Sequence, residues 1–524
     1  MSAVEDLKQR LGIIADLDAT AAVLGWDQET YMPPGAIEAR AEQLTTLARL
    51  SHEKFTDEEI GRLLEAAATE LDGTSFDVGN PAFDSDDASL VRVATRDWKR
   101  ATKIPADLVA RLAHASSMGQ QAWQQAREVS DFSVFKSHLE AIVELTGEKA
   151  EALGYKDRIY DPLLAEFEPG ISTAEIESLF TTLRERLIPI VQELTEETSS
   201  GGITDYESPP TAQSQIALPP LDRSFDEAAQ WDFGVAVIKD FGFDFKHGRQ
   251  DRSAHPFTTA FSVADVRLTT RIHEDFLPAG LFGTLHECGH GLYEQGFAPE
   301  LARTPLADGA SLGLHESQSR LWEILIGRSR PFWTHYFPKL SESFPKTLDG
   351  IDPDAFYRAI NVVRPTLIRV ESDEVTYNLH IMLRFEIENA LLEGRVAVED
   401  LPDVWNDGME RYLGIVPDSD ANGVLQDIHW SMGAIGYFPT YTLGNLISSQ
   451  LFTRLREDIP DLDEQTAGGR FGHLLTWLRE NIHRHGRKFT ASELLDHLDC
   501  GPLSADPWLE HIRTKYSELS GKNL

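Results

Sequence analysis

Apolar residues recur at helical spacing through most of the chain. Near the N-terminus they follow one another at intervals of three and four, at Val4, Leu7, Leu11 and Ile14. This spacing places them on one face of an amphipathic helix. Similar spacing runs through residues 137–152, 173–195, 355–393 and 470–484. Strands do not alternate with helices, and neither a glycine-rich phosphate loop nor a repeat at solenoid periods is present, so the pattern predicts a mainly α fold.

Three stretches depart from the helical pattern. Residues 256–272 are rich in Thr, Val and Phe and alternate as a strand does, which predicts a small hairpin or sheet. Residues 70–90 and 197–222 are rich in Gly, Ser, Asp and Pro and are typical of loops. We predict a single domain over residues 1–524, in which the second loop separates helical halves at 1–200 and 220–524.

The charge of the chain limits the kinds of partner that we expect. The 524 residues include 85 acidic and 48 basic ones, for a formal net charge of -37. Such a chain repels phosphate backbones and anionic lipids, so we expect no nucleic-acid partner and no membrane partner. The acid excess, with only 14 lysines beside 34 arginines, is typical of proteins that fold in high salt.

Location follows from similar reasoning. Two cysteines, Cys288 and Cys500, form no disulfide framework, which fits a reducing cytoplasm. The acidic N-terminus does not resemble a signal peptide, and no run of about 18 apolar residues is present. We therefore expect a cytoplasmic protein.

The sequence His286-Glu287-Cys288-Gly289-His290 is an H-E-x-x-H motif. On a helix, two histidines four residues apart lie on one face and can bind one cation, while the adjacent glutamate faces a water molecule beside that cation. A helix over residues 278–294 would put an apolar stripe, which includes Cys288, opposite the histidines. We therefore interpret Cys288 as a packing residue and His286 and His290 as metal ligands.

A catalytic zinc site needs a third protein ligand and an open position. Thirty residues after His286, a second helical pattern contains His315 and Glu316. Glu316 lies on the polar side of that helix, with Arg320 and Glu323, and we favour it over the competing ligand His315. Zn²⁺ held by His286, His290 and Glu316 is the cofactor that this pattern predicts.

Seven ordered motifs resemble the carboxypeptidase Taq family of zinc metallocarboxypeptidases over almost the whole chain. They are the stretch from Trp26 to Gly35, His255-Pro256-Phe257-Thr258, Asp265-Val266-Arg267-Leu268-Thr269, the H-E-x-x-H motif, His315 to Gln318, Ile368 to Asp373, and Gly423 to Trp430. One departure is Ser372, where the family has alanine. The acid-rich composition further suggests a haloarchaeal-type member.

The resemblance implies a large helical deep-cleft zincin fold, similar to angiotensin-converting enzyme and neurolysin, with a small β-sheet near the active site and a cleft between the two halves. It implies a homodimer that removes single C-terminal residues from peptides with broad specificity, disfavouring proline. It also implies that Co²⁺ can substitute for Zn²⁺.

Several residue roles follow from the chemistry together with the resemblance. Glu287 would accept the proton of the attacking water. Arg369 would bind the substrate carboxylate, because the planar guanidinium of arginine matches a carboxylate. The spacing alone favours instead an i,i+4 ion pair of Arg369 with Asp373. Arg267 is a weaker candidate for binding the substrate, and a salt bridge with a neighbouring acid explains it equally well.

Other candidates concern the reaction intermediate and the substrate. His429 and a tyrosine would stabilise the tetrahedral intermediate, with Tyr441 slightly preferred over Tyr437. His255 would line the cleft. A zinc oligopeptidase or dipeptidyl-type peptidase on the same scaffold is the nearest alternative, and a protein with an inert structural zinc is another.

Overall fold

The computed structural model describes residues 2–71, 80, 82–200 and 220–524. Helices dominate this part of the chain, which confirms the predicted mainly α class. In chain order they are α1 Ala3–Thr30, α2 Ile37–Phe55, α3 Glu58–Glu70, α4 Asp86–Lys103, α5 Ala106–Val129, α6 Ser133–Leu153, α7 Asp161–Leu164, α8 Thr173–Ser200, α9 Glu227–Phe241, α10 Leu277–Glu294, α11 Leu312–Arg320, α12 Arg330–Ser343, α13 Pro353–Ala359, α14 Tyr377–Leu392, α15 Leu401–Leu413, α16 Pro439–Asp458, α17 Leu462–Ala467, α18 Gly472–Asn481, α19 Ala491–His497 and α20 Asp506–Ser520.

A three-stranded sheet precedes α10. Its strands are β1 Gly248–Arg252, β2 Thr258–Ser262 and β3 Asp265–Thr270, in the order β1-β3-β2. The hairpin of β2 and β3 is antiparallel, with Thr258 opposite Leu268, and confirms the prediction for residues 256–272. The third strand, β1, is parallel to β3 and was not predicted, because its sequence Gly-Arg-Gln-Asp-Arg contains no apolar residue.

The chain forms two compact units, each assembled from three separate stretches. Unit 1 contains residues 1–102, 219–357 and 451–501, and unit 2 contains 103–218, 358–450 and 502–524. The residues before 200 contribute to both units, and so do those after 220. The single domain with halves at 1–200 and 220–524 stays a prediction.

The N-terminal helices of unit 1 close around their own apolar core. The predicted stripe of α1 is buried there, with Leu7 fully inaccessible and Leu11 only 2% exposed. Residues of α3 and α4 complete this cluster, including Ile60, Leu64 and Leu90. Burial of this stripe explains why the three-four spacing near the N-terminus predicted a helix correctly.

The helical pattern over 355–393 is not one helix. It is interrupted between α13 and α14, and Arg369 lies in a short 3₁₀ turn, Arg369–Glu371. Pro365 lies in this interruption; proline lacks a backbone N–H and disfavours helical geometry in the residue before it. The predicted i,i+4 geometry of Arg369 and Asp373 is therefore wrong.

Both predicted loops fall partly outside the described residues, at 72–79, 81 and 201–219. Where the chain is described, α4 already begins at Asp86 and α8 continues to Ser200, so both predicted loops are too long at those ends. Among the described helices, none has the length and apolar character that crossing a bilayer requires.

Candidate functional site

Helices α10 and α11 of unit 1 bring the three predicted metal ligands together. The Nε2 atoms of His286 and His290 each lie 3.5 Å from Oε2 of Glu316. One ligand atom from each of the three residues lies within 4.8 Å of the other two. Two imidazoles and one carboxylate facing a common point are the donor set of a catalytic zinc site, so these residues fit a divalent transition metal.

Close packing of the two helices depends on Gly289. A Cβ atom at this position would lie 2.5 Å from Cα of Ser319 and 2.6 Å from the backbone oxygen of Gln318. Both atoms belong to the backbone of α11, one turn from Glu316. The glycine in the H-E-x-x-H motif therefore lets the Glu316 helix approach the histidines.

The helix of Glu316 continues as a π-helical turn, Leu321–Ile326, which carries Glu323. Oε2 of Glu323 lies 2.9 Å from Nδ1 of His286, on the ring edge opposite the ligand atom. Burial would raise the pKa of Glu323, but the hydrogen bond with His286 and the charge of Arg320 lower it to about 2. An ionised Glu323 thus fixes the ring of His286 with Nδ1 protonated, which leaves Nε2 to the metal.

The charges around His286 also act on its protonation. Burial lowers its pKa, but Glu316 and Glu323 outweigh burial and raise the pKa to about 9. A cation at Nε2 therefore displaces a proton at neutral pH.

Glu316 is itself held in the ionised form. Its Oε1 accepts a hydrogen bond from Nε of Arg320 at 2.6 Å, and Ser319 donates to Oε2 at 3.1 Å. Burial opposes ionisation, yet the charges of Arg320 and His286 keep the pKa of Glu316 well below its usual value. One carboxylate oxygen is thus anchored by arginine while the other faces the two histidines.

His315, the competing ligand, is not one of the three converging groups. Its Nδ1 lies 2.6 Å from Nδ1 of His290, and its Nε2 lies 2.8 Å from Oε1 of Glu294. Glu294 lies one turn after His290 on α10. With Nε2 of His290 facing the metal point, its Nδ1–H donates to His315, whose Nε2–H donates to Glu294.

Glu287 lies beside the ligands and is 7% exposed. The hydroxyl of Thr258, from β2, lies 2.7 Å from its Oε2. Burial raises the pKa of Glu287, which the charge of His286 and the Thr258 hydrogen bond partly offset. A glutamate with a raised pKa accepts and releases a proton more readily near neutral pH than an ordinary one. Because Thr258 belongs to β2, its contact with Glu287 places the sheet beside the predicted active site.

Arg369 in unit 2 is 5% exposed and points its guanidinium at Asp427, not at Asp373. Its Nε and Nη2 lie 3.0 and 2.9 Å from Oδ1 of Asp427, and its Nη1 donates to the Tyr377 hydroxyl at 2.8 Å. Arg384 of α14 donates from Nε to the other oxygen, Oδ2, at 2.6 Å. Burial would raise the pKa of Asp427, but the charges of the two arginines outweigh burial and hold it well below its usual value.

The predicted intermediate-stabilising pair also lies in unit 2. Nε2 of His429 lies 3.1 Å from the Tyr441 hydroxyl. Tyr437 instead stacks edge-on against Phe167, and its ring centre is 5.2 Å from that of His429. Burial lowers the pKa of His429 to about 4, so this imidazole is neutral at physiological pH. The geometry pairs His429 with Tyr441.

A buried carboxylate holds the segment between these residues. Glu388 is fully inaccessible and accepts hydrogen bonds from the Trp430 indole at 3.0 Å and from the Gly436 backbone N–H at 3.0 Å. Tyr160 donates to the same carboxylate at 2.6 Å. Two of its donors, Trp430 and Gly436, are the residues that directly follow His429 and directly precede Tyr437.

The remaining predicted residues have other surroundings. His255 is exposed in the β1–β2 connection. Arg267 forms a two-point ion pair with Asp265, at 2.7 and 3.0 Å, which matches the salt-bridge alternative. Cys288 is fully buried on the apolar side of α10, as its place on the stripe predicted.

Sequence reasoning assigned no role to several residues that contact the site. They are Thr258, Glu294, Glu323, Arg384 and Glu388. Glu323 had a usable signal, since it shares the polar side of its predicted helix with Glu316 and Arg320. Glu294 had a similar signal, one turn after His290 on α10. Thr258, Arg384 and Glu388 lie on other elements than the site residues they contact, and their spacing along the chain gives no indication of these contacts.

Comparison with known proteins finds relatives over almost the whole chain. The family model described as "Carboxypeptidase Taq (M32) metallopeptidase" matches residues 6–516. The chain is 40% identical to Thermostable carboxypeptidase 1 of Thermus thermophilus, over 98% of both chains. It is 36% identical to Carboxypeptidase 1 of Bacillus subtilis, over 97% of this chain and 96% of the relative. The crystal structure of an M32 carboxypeptidase from Deinococcus radiodurans superposes with a TM-score of 0.91 at 39% identity, covering 99% of this chain and 100% of that one.

Proposed function

The chain belongs to the carboxypeptidase Taq (M32) metallopeptidase family and is a metallocarboxypeptidase hydrolase, and on this premise we propose that it is zinc-dependent and releases single amino acids from peptides with a free C-terminus. We further propose broad side-chain tolerance, with proline disfavoured. The supporting observation is the convergence of His286, His290 and Glu316 on one point beside the buried Glu287.

The donor set supports zinc as the metal. His286, His290 and Glu316 would hold it and leave a coordination position open, with Co²⁺ as a possible replacement. Zinc in such a site lowers the pKa of a bound water and polarises the scissile carbonyl. Glu323 holds the proton of His286 on Nδ1, so that Nε2 would be the ligand atom, and Arg320 keeps the Glu316 carboxylate ionised.

Glu287 would act as general base and then as general acid. It would take a proton from the attacking water and pass it to the leaving amine. Its burial and its single fixed partner, Thr258, support this role, because they hold one carboxylate oxygen and keep the pKa raised.

Arg369 would bind the C-terminal carboxylate of the substrate. Its guanidinium is fixed by Asp427 and Tyr377, which orients the planar group before substrate arrives. Tyr441 and His429 would donate hydrogen bonds to the oxygen that becomes negative as the tetrahedral intermediate forms.

The test is an assay of the metal-loaded protein on N-blocked dipeptides with a free or an amidated C-terminus. We expect release of single amino acids from the free carboxylates only. Glu287→Gln should abolish turnover while it retains the metal, and Arg369→Ala should raise KM. Cleavage confined to internal bonds and insensitive to Arg369→Ala would instead identify an oligopeptidase, and activity unaffected by metal removal would contradict a catalytic metal.

Three further expectations remain proposals. The acid excess supports adaptation to high salt, of the haloarchaeal type. The low cysteine content supports a cytoplasmic location. Homodimerisation rests on the family resemblance, and sedimentation equilibrium of the purified protein tests it.

A further inference from the structure

Two arginines share one buried carboxylate in unit 2. Arg369, Arg384 and Asp427 form what we call the arginine–aspartate cluster. Oδ1 of Asp427 accepts hydrogen bonds from Nε and Nη2 of Arg369, and Oδ2 accepts one from Nε of Arg384. Arg384 is fully inaccessible, so it cannot itself contact a substrate, whereas a small part of Arg369 is exposed.

The cluster contains one more positive than negative charge. Asp427 is ionised, because its two arginine partners outweigh burial and hold its pKa well below the usual value, and arginine retains its proton even where burial lowers its pKa. The adjacent imidazoles of His380 and His429 are neutral, because burial and the arginine charges lower their pKa values. A buried charge without a counterion is unfavourable, which makes such a cluster receptive to an anion.

Arg384 is held firmly in its place. Its Nη1 donates to the backbone oxygen of His380 at 2.7 Å, and its guanidinium carbon lies 4.5 Å from the ring centre of Trp405. If Arg384 were absent, Asp427 would have only Arg369 to pair with and would neutralise it. The second guanidinium therefore divides the charge of Asp427 between two partners.

We propose that Arg384 is a positioning residue: by sharing Asp427 with Arg369, it orients the Arg369 guanidinium for the substrate carboxylate and leaves part of its positive charge unpaired. This inference rests on the proposed function of Arg369 and deepens it. Arg384 belongs to none of the seven sequence motifs, and it acts through Asp427 without touching substrate.

The experiment measures kcat and KM of the metal-loaded protein on an N-blocked dipeptide with a free C-terminus. We expect Arg384→Met to raise KM about tenfold, the effect of weakening one hydrogen-bonded charge contact, and to leave kcat within about twofold. Arg384→Lys retains the cation, and its KM should lie much closer to the wild-type value. If Arg384→Met does not fold, the same kcat and KM measurements are made on Arg384→Gln, which removes the charge but keeps a hydrogen-bond donor for Asp427.

Arg184→Met is the matched control. Arg184 forms an ion pair with Glu386 of the same helix, α14, and does not contact Asp427. This variant also loses a guanidinium that forms an ion pair with an acid of α14, and its KM should be unchanged. An equal rise in KM for Arg184→Met would overturn the proposal, because it would show a general disturbance of α14.

A double-mutant cycle tests whether Arg384 acts through Asp427. In an Asp427→Asn background, Arg384→Met should change KM much less than in the wild type, because the charge that it shares is gone. An undiminished effect in that background, or a loss in kcat with KM unchanged, would overturn the proposal. If instead Arg369→Ala leaves KM unchanged, the proposed function of Arg369 fails, and this result is distinct from a failure of Arg384→Met alone.

Discussion

The Nδ1 atoms of His290 and His315 lie 2.6 Å apart, and His315 in turn contacts Glu294 at 2.8 Å. His315 therefore connects a predicted metal ligand to a carboxylate one turn further along the same helix. A hydrogen bond of this kind fixes both the orientation and the tautomer of a ligating imidazole, and its loss typically lowers metal affinity by a factor of about 10 to 100.

We therefore predict that His315→Gln lowers zinc affinity by about this factor, while Glu316→Gln lowers it further. Competition with a chromophoric chelator measures both. His247→Gln, at an exposed histidine that pairs with Asp244 in the same unit, is the control and should bind zinc normally. The reverse order of the two main variants would make His315 the ligand and Glu316 its support.

Gly289→Ala should damage the metal site without touching a ligand. The added Cβ would lie 2.5 Å from Cα of Ser319, so α11 must move away and carry Glu316 with it. We expect weaker zinc binding and a loss of about 1–3 kcal/mol in the free energy of unfolding.

The control for this substitution is Gly283→Ala, in the same helix. A Cβ there would meet only Cγ of Pro256, at 3.8 Å. Alanine is the better helix former, so stability should be equal or slightly higher. Zinc titration and thermal unfolding of the two variants decide the matter, and similar behaviour of both would show that the close approach at Gly289 is unimportant.

Local spacing was enough to group His286, His290 and Glu316 as candidate metal ligands, because they lie on two helices close in sequence. The phase of α10 placed Cys288 and His286 on opposite sides, and the phase of α11 favoured Glu316 over His315. The partner of Arg369 was missed because Asp427 is 58 residues away and a proline breaks the apparent helix between 355 and 393. Strand β1 was missed because its pairing with β3 depends on backbone hydrogen bonds that polar residues form equally well.

Thr258→Val should shift the acid limb of the pH–rate profile to higher pH. The Thr258 hydrogen bond favours the ionised form of Glu287 and so lowers its pKa. Without it the pKa of Glu287 rises further, and the base is protonated up to a higher pH. The pH dependence of kcat/KM measures this shift, with Thr259→Val on the same strand as control. A shift to lower pH would contradict the role of Thr258.

Glu388 should make stability depend on pH between about 4.5 and 7. Burial raises its pKa to about 7, which the hydrogen bonds of Tyr160 and Gly436 only partly offset. The folded state therefore binds this proton more tightly than the unfolded chain does. The resulting stabilisation, on the order of 3 kcal/mol, is complete below the unfolded pKa and is lost as pH rises through about 7.

Glu388→Gln removes this titration but retains an amide at the site. We expect the variant to be less stable than the wild type at pH 5, because it loses at least one hydrogen bond, and the difference to shrink by pH 8. Thermal unfolding at both pH values measures the difference. A difference that does not change with pH would show that Glu388 does not titrate in this range.

Salt should stabilise the protein, because its 85 acidic residues repel one another and only 48 basic residues offset this repulsion. In dilute buffer the screening length is about 30 Å at 0.01 M, and it falls to about 3 Å at 1 M. We predict that Tm and activity rise as KCl increases over this range, because unscreened repulsion favours the unfolded chain. Simple screening is nearly complete at a few tenths molar, so a continued rise toward molar KCl would indicate adaptation to high salt. Unchanged Tm and full activity in dilute buffer would contradict the prediction, and a sucrose series at matched viscosity separates the effect of charge from that of the solvent.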